Sequence, residues 1–106
     1  MTPDKLRAKI RQVFPDADPT TIAALLDEYT GPEPLRVRMA IVKLCDEDQR
    51  DSPKHYVETA RQDHRDILAW AEFPQQVRPD WFSLSVTERA KVTKADRQQY
   101  ARWLAR

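Results

Sequence analysis

Two histidines, one cysteine and a short acidic run are the residues of this 106-residue chain whose types suit catalysis or metal binding. His64 lies in DHRDILAWAEFP (63–74), among carboxylates and an arginine, just ahead of an apolar segment that carries Trp70 and stops at Pro74. An imidazole so placed could serve as a general base or a ligand contact in a pocket. His55 stands nine residues earlier. At about 100° per residue a helix turns the two to nearly opposite sides, so they cannot share one metal within a chain. The closer spacing of a zinc helix, H-E-x-x-H, is absent. CDEDQRDSP (45–53) has the acidity of a calcium loop but not its pattern. Counted from Asp46, Arg50, Asp51 and Val57 stand where an EF-hand requires an oxygen ligand, glycine and glutamate. The run is read instead as an inter-helix loop in which Asp51 or Ser52 caps the next helix. Cys45 closes the most apolar helix, where a thiol is inert packing, and it excludes both an internal disulfide and a cysteine-rich zinc site. There is no G-x-S-x-G elbow, and one glycine cannot build a phosphate-cradling loop. No metal and no cofactor are expected, and no catalytic residue is assigned.

These residues ride on helices. Thr2-Pro3, Asp18-Pro19 and Ser52-Pro53 each read as an N-cap followed by proline at the first helical position, where its missing N–H is harmless. Ser85 with Glu88 is a capping box. Helix one is expected over Pro3–Phe14, and helix two over Pro19–Thr30 with Gly31 as its C′ residue. Helix three begins at Pro34 or Leu35. Its apolar residues through 35–45 go nearly all the way round, which marks a central helix enclosed by the others. Helix four is expected to run unbroken from Pro53 to Glu72 or Phe73, with Tyr56, Val57, Ala60, His64, Ile67, Leu68 and Ala71 on one stripe. On that projection Asp63 and Asp66 turn away from His64, which becomes a core-edge residue bonded to a neighbouring element. The last helix runs from Val86 towards the C-terminus, with a narrow apolar stripe and the weakest docking. The fold class is therefore all-α: residues 1–106 form a single domain of about five helices around the apolar helix 35–45.

A hydrophobic fraction of 41% and a charged fraction of 33% fit a globular helical protein. No apolar run reaches the ~18–20 residues of a membrane span. MTPDKLRAKIRQ has no apolar core for a secretory signal, so a cytoplasmic protein is expected. A net charge of +1 demands no polyanionic partner. Arg89, Lys91, Lys94, Arg97 and Arg102 nevertheless make the last helix basic, and Tyr100 and Trp103 accompany them. That combination is used on single-stranded nucleic acid, but the same aromatics are needed to dock the helix, and a buried Trp103 could not stack on a base. Nucleic acid ranks as the alternative partner. The leading expectation is a protein partner or a homodimer using Trp70, Phe73, Trp81 and Phe82. Their apolar surface near residues 70–84 falls in a connector whose prolines and polar residues otherwise suit a solvated loop. A small-molecule pocket or enzyme site around His64 ranks third.

RVRMAIVKLCDED, the helix end D-x-R-D-x-L-A-x-A-E-x-P within 63–74, and the final Y-x-x-W-L are similar to segments of small bacterial all-helical proteins of unassigned function. The resemblance covers about residues 36–74. It implies a bacterial source and an all-helical fold, and it transfers no activity. His64 stands where that pattern would place an aromatic such as tyrosine, which implies packing there.

Overall fold

Most of the α-helices start where a side-chain oxygen can take a stranded backbone N–H. The computed structural model describes residues 2–47 and 52–106. Thr2 accepts from the Lys5 N–H and opens α1 (Pro3–Val13), and Asp18 accepts from the Thr20 N–H and opens α2 (Pro19–Leu26). Ser52 caps α4 (Pro53–Gln62) through the His55 N–H, and Ser85 caps α6 (Val86–Ala105) through the Glu88 N–H. Asp51, the other cap suggested for α4, lies outside the described residues. Proline at the first turn adds a preset φ to the caps of α1, α2 and α4. No strand occurs among the described residues, and the fold is an all-helical bundle.

α3 (Pro34–Glu47) is the hub. Val37 and every residue from Met39 to Cys45 are buried, and α1, α4 and α5 pack around them. The charged member of that run, Lys43, is enclosed and ion-paired to Glu47 one turn on. Arg36 forks onto the Glu72 carboxylate (2.6–3.1 Å) and ties the start of α3 to the end of α5. Arg38 donates to the Leu26 and Tyr29 carbonyls (3.1 and 2.8 Å), serving the exposed end of α2.

Two expectations change. α2 ends at Leu26, and Gly31 has no positive φ, so it is not a left-handed cap. Its smallness serves another purpose. A Cβ there would lie 2.8–3.0 Å from the end of the Tyr29 ring, whose hydroxyl donates to the Pro32 carbonyl (2.7 Å). The positive φ falls instead on Glu33, at 49°, just before α3.

The second correction concerns the long fourth helix, which is two helices. Asp63 is extended (φ −154°, ψ 100°). It closes α4 and caps α5 (His64–Glu72), its side chain accepting from the Arg65 N–H (3.0 Å). An N-cap aspartate with Asp66 in the first turn is a start signal that the continuous apolar spacing on either side concealed. His64 is therefore the first residue of a helix, not a member of an inner stripe.

After α5 come short 3-10 turns at Pro74–Gln76 and Trp81–Ser83, and then α6. The 20-residue α6 buries two residues, Asp96 and Trp103. Polar ties do much of its docking. Trp103 Nε1 donates to Asp46 Oδ2 (2.8 Å), Gln99 to the Ala71 carbonyl (3.2 Å), and the Gln75 N–H to Asp96 Oδ1 (3.1 Å). Lys9 reaches from α1 with its ammonium 4.4 Å from the centre of the Trp103 ring, donating to the Trp103 and Arg106 carbonyls and to Gln12. A lysine on these last carbonyls satisfies groups that a helix end leaves unpaired and suits the negative end of its dipole. Burial first, and then the neighbouring Lys5 and Arg106 charges, hold the Lys9 pKa below its ordinary 10.5.

Candidate functional site

His64 lines a cleft between two segments of the chain. The Tyr29–Pro32 segment forms one wall and Ala60–Arg65 the other, enclosing about 610 Å³. The half-buried imidazole thus does have a cavity beside it, built by the break at Asp63. The surrounding polar groups are largely committed to one another. Tyr29 is bonded to Pro32, and the Asp63 carboxylate takes two hydrogen bonds from the Arg65 guanidinium as well as its N–H. Those Arg65 bonds hold the Asp63 carboxyl below its ordinary range. Burial, and then the Glu33 charge, hold the Tyr29 phenol above its own. The walls offer no carboxylate pair or nucleophile–base couple at bonding distance. Among the described residues no group of three His, Cys, Asp or Glu is placed to hold a metal.

The connector presents a different surface. Phe82 is 85% exposed, and Val86 at the start of α6 is 82% exposed. Val77 and Trp70 are exposed as well, whereas Phe73 and Trp81 are half-buried. Phe82 is held in place despite its exposure. Arg89 donates from Nε to the Trp81 carbonyl (3.1 Å) and from its guanidinium end to the Phe82 carbonyl (2.7 Å). Its charged carbon lies 5.8 Å and 5.7 Å from the centres of those two rings. The Ser83 N–H closes the turn on the Asp80 carbonyl (2.9 Å). A large apolar side chain on a backbone fixed this way is preorganised, so little ordering remains to be done when it is covered.

Towards the far end of α6 lies an apolar groove of about 240 Å³, where Phe73 from the end of α5 meets Tyr100, Ala101 and Leu104, with Arg97 and Glu72 at the rim. The Tyr100 hydroxyl is buried with no hydrogen-bond partner. Burial, and then the nearby Glu72 charge, push its pKa well above the ordinary 10.0. Asp96 Oδ2 is likewise buried without a partner.

The basic residues of α6 divide into two sets. Arg89 is occupied in pinning the connector, and Trp103 is buried against Lys9, so it is not available to stack on a base. Lys91, Lys94, Arg97 and Arg102 remain as exposed cations. Sequence reasoning missed Val77, Val86 and the groove. The groove did leave a trace in the apolar and small residues Val86, Ala90, Ala101 and Leu104, which share one face of α6 at about 100° per residue. No helix of the described residues is long and apolar enough to cross a membrane. Compared with known proteins, the chain matches no family model, no curated protein and no solved structure.

Proposed function

We propose that the chain is a non-catalytic helical interaction protein of the bacterial cytoplasm, and that it engages a protein partner through the connector and the adjoining face of α6. The supporting observation is Phe82, exposed yet fixed by two hydrogen bonds from Arg89 to its turn. Interface anchors are commonly aromatic, held in advance, and surrounded by contacts that exclude water. Val86, Val77 and Trp70 are exposed apolar side chains as well. The bacterial and cytoplasmic parts of the reading rest on the resemblance of residues 36–74 and on the lone cysteine.

The test is photo-crosslinking in cells from benzoylphenylalanine placed at position 82, with the exposed position 58 on α4 as control. A discrete adduct from 82 that disappears when Val86→Asp is added is expected. Labelling no different from the control contradicts the reading. The four exposed cations of α6 support the alternative, a nucleic-acid surface. It requires binding to single-stranded oligonucleotide that weakens steeply with salt.

A further inference from the structure

We propose that the partner is a second copy of this chain: two α6 helices pair antiparallel about a twofold axis, and Phe82 of each inserts into the groove between α5 and α6 of the other. This rests on the interaction reading above and gives it an occupant. Knob and hollow are both present on one molecule. The hollow, about 240 Å³ walled by Phe73, Tyr100, Ala101 and Leu104, exceeds the ~150 Å³ of an apolar cavity that takes benzene. The knob, Phe82, is the most exposed of the large hydrophobic side chains.

The two features share a face of α6. Phe82 rests over Arg89 at the helix start, next to Val86. At about 100° per residue, Val86, Ala90, Arg97 and Leu104 fall within about 40° of one line along the helix. They also lie at opposite ends of it. The helix has 20 residues and so is about 30 Å long, too far for Phe82 to reach the groove of its own chain. Reversing one helix against another brings each start beside the other's end, so a single twofold operation fills both grooves. Such a self-complementary surface is what an isologous contact requires. Ala90 falls near the crossing, where a small side chain allows close approach.

The area is modest. A 30 Å helix face with an aromatic inserted at each end buries on the order of 1,000 Å² in total, the size class of weak, reversible contacts, so association in the micromolar range is expected. Charge sets the direction of its salt dependence. Each α6 presents Lys91, Lys94, Arg97 and Arg102 to solvent against an exposed Glu88, so the two copies repel. Screening must therefore strengthen the pairing, the opposite of phosphate binding.

Two measurements on the purified chain test this. Light scattering after size exclusion, with loading stepped from about 5 to 500 μM to bracket micromolar association, is expected to move from monomer to dimer, with more dimer at high salt. Phe82→Ser and the groove variant Ala101→Glu, both at exposed positions, are each expected to remain monomeric, shifting the midpoint at least tenfold. Benzoylphenylalanine at 82 is expected to give an adduct of twice the chain mass whose crosslink maps to residues 97–104. A wild-type chain that stays monomeric throughout, or a self-adduct mapping elsewhere, overturns the dimer. A monomeric chain that gives the position-82 adduct with a different protein in cells overturns the dimer alone. A monomeric chain with no adduct in cells removes the interaction reading as well.

Discussion

Along α3, Val37 and all of Met39–Cys45 are buried, whereas the longer α6 buries only Asp96 and Trp103. The two helices are held by different forces. α3 has other helices on several sides and loses apolar surface around most of its circumference, at roughly 25 cal/mol for each Å² removed from water. α6 leans on α5 and the Pro74–Gln76 turn, and its position depends on directed bonds donated by Lys9 and Gln99 and accepted by Asp46 and Asp96. Burial is nearly indifferent to pH and orientation, while directed bonds are sensitive to both. An element docked by a few polar ties can keep one face free, and in α6 that face carries the groove and adjoins the fixed Phe82.

Substitutions should separate the two regimes. Ile41→Ala, at a fully buried position of α3, should lower global stability by about 3 kcal/mol in urea unfolding, within the range for core truncations. A loss below about 1 kcal/mol would mean that α3 is not the hub. Lys9→Met keeps the stem but strips the donor from the Trp103 and Arg106 carbonyls. It should remove about 2 kcal/mol, and amide exchange should accelerate in the last turns of α6 but not in α3. Gly31→Ala should destabilise by about 1–2 kcal/mol, because the new methyl displaces the Tyr29 ring and strains its bond to Pro32.

The pH response should also come from the α6 side. Asp46 loses solvation, but hydrogen bonds from Trp103 and Arg106 and the charges of Arg106 and Lys9 outweigh this and hold its pKa below the ordinary 3.8. A carboxyl depressed in the folded state stabilises above its unfolded pKa, and that contribution disappears as pH falls through the depressed value. Acid should therefore loosen the α3–α6 tie. The Tyr100 hydroxyl is shifted the other way. Above about pH 10 the unfolded chain releases that proton while the folded chain retains it, so stability must fall as pH rises. Tyr100→Phe should flatten the alkaline decline measured by urea midpoints. An unchanged slope would show that the hydroxyl is not confined. Smallest of all, Phe82→Ser should change monomer stability by less than about 0.5 kcal/mol, since its side chain faces water.

Much of the fold was legible because local signals agreed: prolines after capping residues, and apolar spacing that left helix 35–45 no solvent-facing side. The break at Asp63 was hidden because Ala60 and Ile67 face the core from both sides of it, so the apolar stripe reads as continuous. Nothing in the sequence marks Lys9 and Asp96 as buried, because charge usually goes with exposure. Their burial depends on carbonyls and an N–H that only the assembled chain brings to them. Trp70 and Phe82 could be named from sequence as candidates for exposure, and the shared face of Val86, Ala90, Ala101 and Leu104 was legible as spacing. That this face stays open as a groove is fixed by where α6 comes to rest against α5, a tertiary outcome that spacing does not encode.

Amide hydrogen exchange resolved along the chain, on dilute and concentrated samples, tests the contrast between the helices most directly. In dilute solution, α3 should exchange only through global unfolding, and residues 86–94 of α6 should exchange through much cheaper local openings. On concentrating the sample, protection should rise in 86–104 and around Phe82 while α3 stays unchanged. Protection of α6 equal to that of α3 at low concentration, with no change on concentrating, would contradict both the loose docking of α6 and the availability of its outer face.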